Sequence, residues 1–216
     1  MSRRILLSLI VLTGVATSCR LFRPYNPNAS KSEDAKPADA QSSPQAVVEA
    51  PPPPPPLEKR RDVGRVSDAT IAAMLLASNN TDISYARLVP SRAERRDIRE
   101  FATRMITDHA GVNAMLNDLL AKLDLTPQDN DASLDMRDVS STNRDKMRDL
   151  SGYAFDSAYI ENEITYHRRL LSDLDDIMIP KSRDRDLGNL LNTVRPAIAA
   201  HLAHAEQIRA NLLARR

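Results

Sequence analysis

The sequence predicts an all-α protein: an antiparallel four-helix bundle behind a leader segment and a proline-rich linker. Three observations carry this. Between residues 67 and 214, apolar residues recur every three or four positions, the period of a helix with one buried face. Only 5 of the 216 residues are glycine, and Ala, Leu, Asp and Arg dominate the same region, a composition that favours helix. No stretch alternates polar and apolar residues as a strand would.

The first 18 residues have the layout of an export signal. Arg3-Arg4 is a basic start, Ile5 to Val15 is an apolar run too short to span a bilayer, and the small residues Ala16-Thr17-Ser18 follow. Cys19, the only cysteine, comes next. The ending resembles a bacterial lipobox, with Ala16 where leucine is usual. The resemblance implies cleavage before Cys19 and lipidation of its thiol. Each acyl methylene buried in a bilayer contributes about 0.8 kcal/mol, so several chains anchor a protein stably. Arg20 follows the cysteine in place of the aspartate that marks inner-membrane retention in lipoproteins, which implies the outer membrane, facing the periplasm.

Residues 19–66 read as a disordered tether. They are polar and low in complexity, and they end in the run Pro51 to Pro56. That run is expected to form polyproline II, a stiff spacer of roughly 20 Å. Lys59-Arg60-Arg61 reads as a solvated charge run.

The composition excludes some functions. Lys and Arg total 30 against 29 Asp and Glu, which leaves no strongly basic surface for nucleic acid. Tryptophan is absent, so a base-stacking platform is disfavoured. One cysteine permits no internal disulfide.

The first helix is expected from Ser67, as N-cap, to about Val89. Two stripes compete on it, one through Ile71, Leu75 and Ala86 that includes Asp82, the other through Ala72, Leu76 and Ile83. Pro90 ends it. Ser91-x-x-Glu94 reads as a capping box for the second helix, which runs to about Leu123 with His109 central on its apolar row. Residues 124–142 are polar and turn-rich and read as a loop. The third helix is expected from about Thr142 to Met178, its core row holding Asp156, Ile160, Ile164 and His167, and Pro180 stops it. The fourth spans about Ser182 to Ala214, with His201 on its core row and Pro196 one turn earlier.

The chain has 4 histidines, and three of them lie on core rows of different helices. An antiparallel layout at about 1.5 Å rise per residue puts His109, Asp156 and His201 at one level, with His204 one turn above His201. His167 and Asp82 form a second, weaker pair roughly 15 Å lower on the same arithmetic.

The segments IREFATRMITDHAGVNAML, LSGYAFDSAYIENEITYHRRL and VRPAIAAHLAHAEQI resemble a bacterial family of exported, ferritin-like proteins, the domain of unknown function numbered 4142. The resemblance covers about residues 67–213. It rests on Asp108-His109, on Phe155-Asp156 through Tyr159 to His167, and on the pair Pro196 and His201. It implies a ferritin-like bundle and no particular reaction. Asp82 and Ser84 stand where the family tends to have glutamates.

No catalytic constellation is visible. A di-iron site of the carboxylate type needs Glu-x-x-His, and the residues three before His109, His167 and His201 are Ile106, Ile164 and Ile198. Glu163, four before His167, is a partial substitute only. Ferroxidase and oxygenase chemistry are therefore rejected, and the chain is read as non-enzymatic. Three readings of the histidine cluster stay open: a hydrogen-bonded structural core, a divalent transition metal site for zinc, copper or nickel, and pH-responsive packing. The overall expectation is a lipid-anchored, periplasm-facing bundle with a structural, interaction or stress-related role and an unidentified protein partner. A periplasmic metal-binding lipoprotein is the alternative.

Overall fold

The computed structural model describes residues 66–214. The expected signal peptide, Cys19 and nearly all of the expected tether lie outside the described residues. Among those described the protein is all-helical, and none of the helices is long and apolar enough to cross a membrane.

Helix α1 (Asp68–Ala86) starts where the sequence predicts. Ser67 caps it, exchanging hydrogen bonds with Thr70 in a capping box. Helix α2 (Arg96–Leu123) starts later than expected. Pro90 lies in a 3-10 turn over Val89–Ser91, and the Ser91 hydroxyl donates back to the Leu88 carbonyl. The Ser91/Glu94 capping box therefore does not form, and the carboxylate of Asp156, from another helix, instead holds the backbone just ahead of α2.

The largest departure is α3 (Asp131–Arg148), which lies mostly in the stretch expected to be a loop. Asn130 caps it through a reciprocal pair with Ser133. Its buried face is Ala132, Met136, Ser140 and Met147, a thin stripe diluted by serine among many aspartates. It packs on α1. Helix α4 (Gly152–Asp173) is thus separate from α3, rather than one helix beginning at Thr142. Gly152 opens it with a φ of 57°, in the left-handed region that disfavours a side chain, and its N–H donates to the Arg92 carbonyl at 2.9 Å. A π turn over Leu174–Met178 and a short α5 (Ile179–Lys181) continue α4 past Pro180. Helix α6 (Arg185–Leu213) is capped by Asp184 and runs through Pro196.

The ends fix the direction of each helix. At one end, the N-termini of α2 and α4 meet, where Asp156 near the start of α4 accepts from Glu94 N–H at 3.2 Å and Arg95 N–H at 3.0 Å. At the other, Asp68 at the start of α1 accepts from the backbone N–H groups of Arg183 and Asp184, just ahead of α6. So α2 and α4 run the same way, and α1, α3 and α6 run the opposite way. Helix α3 supplies the extra reversal.

Helices α1, α2, α4 and α6 enclose two apolar layers. One holds Ile71, Leu75, Leu116, Leu174 and Leu191, the other Phe101, Phe155, Tyr159, Ile160 and Ile208. Burying a side chain of this size contributes about 1.5–3 kcal/mol. Between the layers every one of these four helices carries buried polar groups: Asn79 and Asp82 on α1, His109 on α2, Glu163 and His167 on α4, His201 on α6.

Candidate metal centre

The polar layer is a single cluster. Nε2 of His109 lies 3.2 Å, and Nε2 of His167 3.3 Å, from Oδ2 of Asp82. Nδ1 of His167 is 3.5 Å from a Glu163 carboxylate oxygen. Ring centroids of His109, His167 and His201 are 5.4 to 5.9 Å apart. Asp82, Glu163 and His167 are each 0% exposed.

Each histidine has one ring nitrogen engaged outward. Nδ1 of His109 faces Oδ1 of Asn79 at 2.9 Å. That amide is itself oriented, because Nδ2 of Asn79 donates to Asn113, whose own Nδ2 donates to Asn80. Nδ1 of His167 faces the Glu163 backbone carbonyl at 2.9 Å, and Nε2 of His201 faces Asp108 at 2.9 Å. All three outer partners are acceptors, so each of these nitrogens carries the proton and donates. In the neutral rings the other nitrogens, Nε2 of His109 and His167 and Nδ1 of His201, present lone pairs.

Those three nitrogens, with both oxygens of Asp82 and both of Glu163, are buried and have no hydrogen-bond partner. A lone pair facing a carboxylate at 3.2 Å is repulsive unless a proton or a metal ion lies between them. One nitrogen from each of the three histidines lies within 4.8 Å of the others, and the same holds for one ligand atom each from Asp82, Glu163 and His167. Bonds of about 2.0–2.2 Å to one ion put ligand atoms roughly 3–4.5 Å apart, so the set fits a transition metal with small side-chain movements. The outer acceptors match the arrangement in which metal-bound histidines donate their second N–H to a carbonyl or carboxylate.

Electrostatics agree. Burial, with the neighbouring imidazoles, lowers the pKa of His167 to about 4, and burial also lowers that of His201; both rings are neutral at pH 7 and able to ligate. Burial alone would raise the Asp82 carboxyl, but His109 and His167 hold it below the ordinary value. Burial and the Asp82 charge push Glu163 well above its own. Asp108 is held low by His201 and Arg104 against the effect of burial.

The structure redistributes the residues singled out from sequence. His109 and His201 are together as expected, but His167 and Asp82 join them instead of lying lower. Asp156 is not in the cluster; it holds the Glu94–Arg95 backbone at the entry to α2. His204 is not in it either, and its ring meets the edge of Phe101 at 5.2 Å. Sequence reasoning set Glu163 aside, named Asp108 only as part of a family motif and gave it no place at the site, and missed Asn79. Glu163 and Asp108 had a signal, one helical turn from and adjacent to cluster histidines respectively; Asn79 had none.

Asp156→Ala removes a buried carboxylate that accepts from the backbone N–H groups of Glu94 and Arg95 and is expected to destabilise the fold by about 1–3 kcal/mol. Thermal denaturation checks this, and metal stoichiometry should not change.

The fold and site define an all-α protein with a buried cluster of three histidines and two carboxylates contributed by four helices. The family model of a domain of unknown function, DUF4142, matches residues 53–208, and the chain belongs to that family. No curated protein and no solved structure matches the chain.

Proposed function

We propose that this protein is a lipid-anchored, periplasm-facing metal-binding protein that holds one divalent transition metal in its core, with His109, His167, His201 and Asp82 as ligands and Glu163 beside them. The carrying observation is that one ring nitrogen from each of three buried histidines lies within 4.8 Å of the others, while each ring has one nitrogen engaged by an outer acceptor and one with no hydrogen-bond partner. Three imidazoles with carboxylates suit zinc, copper or nickel. We read α1, α2, α4 and α6 as a ferritin-like core with α3 added outside α1, and the centre as distinct from a Glu-x-x-His di-iron site. Ligands with essentially no exposure suit retention of an ion more than turnover of a substrate, which supports a non-enzymatic role. A purely structural polar core accounts less well for so many unsatisfied buried atoms, since such groups are normally hydrogen-bonded.

Elemental analysis of the full chain isolated from its membrane tests the reading. About one metal ion per chain is expected, lost in His201→Ala; a metal-free wild type that also binds none on titration refutes it. Asn79→Ala frees His109 to rotate and is expected to weaken metal affinity by about 10–100-fold, measured by competition with a chelator. The anchor is tested separately: Cys19→Ala should move the protein to the soluble fraction and remove the acyl mass seen in wild type.

A further inference from the structure

A cleft of about 210 Å³ lies between α1 and α3. Its walls follow helical spacing on both sides: Thr81 and Ser84 come from α1, Arg137, Ser140, Ser141 and Arg144 from α3. The chemistry is one-sided. Helix α3 carries Asp131, Asp135, Asp138 and Asp145, yet no carboxylate lines the cleft. What lines it are hydroxyls, two guanidinium groups, the Asn80 amide and the Ala77 methyl. Arg137 is already engaged by both oxygens of Asp129, at 2.9 and 2.7 Å. Among the described residues Arg144 has no ion-pair or hydrogen-bond partner, although it is half-buried. Across the cleft the hydroxyls of Ser84 and Ser140 stand 3.4 Å apart.

We infer that this cleft binds a small oxyanion of the phosphate class, with Arg144 as the charged anchor and Ser140 and Ser141 as hydroxyl donors, the Ser84 hydroxyl already donating to the Thr81 carbonyl at 2.7 Å. A planar guanidinium presents paired N–H groups that match two oxygens of one phosphate. Serine hydroxyls rotate to donate to the remaining oxygens. The volume accommodates one such ion with some of its water. None of the lining residues is among the proposed metal ligands, so the inference stands apart from the metal reading.

The same chemistry is offered by free inorganic phosphate and by the headgroup of an acidic phospholipid, and the experiment separates the two. Full-length protein is titrated with inorganic phosphate at low ionic strength by calorimetry, and, in a second arm, with vesicles of phosphatidylcholine with and without phosphatidic acid. Saturable binding in either arm is expected, weakened roughly tenfold or more in Arg144→Gln through loss of the charged hydrogen bonds and partly restored in Arg144→Lys. Because Arg144 has no partner within the fold, both variants should melt with wild type, so a loss of binding reports the site. Arg144-dependent binding in the phosphate arm identifies the free ion, and in the vesicle arm alone, the headgroup. No saturable binding in either arm, or equal binding by Arg144→Gln, overturns the inference.

Discussion

Zinc added to the metal-free full-length protein should raise its melting temperature by roughly 5–10 °C at a hundredfold excess over the dissociation constant. A ligand that binds only the folded state contributes about 2.7 kcal/mol at that ratio, and each kcal/mol moves the transition of a domain of this size by about 2–4 °C. His167→Ala should abolish the rise, because His167 lies 3.3 Å from Asp82 and 3.5 Å from Glu163 and so joins both carboxylates to the cluster. A cluster held by a proton shared between His109 and Asp82 instead predicts no response of wild type to metal. Differential scanning calorimetry with zinc, copper and nickel in turn distinguishes the two and ranks the ions.

The second expectation has the opposite sign from the usual effect of a core substitution. Glu163→Met should stabilise the metal-free protein, by about 1–3 kcal/mol, while weakening metal binding. The carboxyl is fully buried with neither oxygen hydrogen-bonded, and a polar group desolvated without a partner costs free energy that an apolar side chain of similar length does not. If the cluster were an internally satisfied structural network, the same change would leave partners stranded and lower the melting temperature. The pH dependence follows from the same group. Burial and Asp82 hold Glu163 well above its ordinary value of 4.5, so in the metal-free fold it keeps a proton that the unfolded chain releases. Stability from that proton is fully present below about 4.5 and is lost as pH rises toward the folded-state value. Metal-free wild type should therefore weaken as pH climbs through this window, and Glu163→Met should flatten that part of the curve.

Helix α3 shows why part of the fold was hidden. Residues 124–142 are rich in aspartate, serine and asparagine, which favour caps and turns over helix interiors. The helix forms because Asn130 and Ser133 cap it and α1 offers an apolar surface to cover. Its trace in the sequence lay in α1: the two competing stripes, through Ile71 and Leu75 and through Ala72 and Ile83, are both buried. A helix that is apolar on every side needs neighbours on every side, and three partner helices do not provide them.

The sequence alone determined the class of fold, the start of α1, the extent of α6 and the placing of His109, His167 and His201 on inward rows. These depend on spacing along one helix, which 3.6 residues per turn converts directly into a face. It could not determine which polar residues meet. Meeting depends on the level at which helices are aligned, and that level changes with every reversal of the chain. Reading 124–142 as a loop turned the helix of Asp156 and His167 upside down, which put Asp156 beside His109 and sent His167 away. With α3 in place, α4 runs parallel to α2, Asp156 falls at the N-terminus of α2, and His167 rises to the level of His109 and Asp82. Only the tertiary structure decided this, because helix direction is a property of how the whole chain packs and no local residue pattern records it.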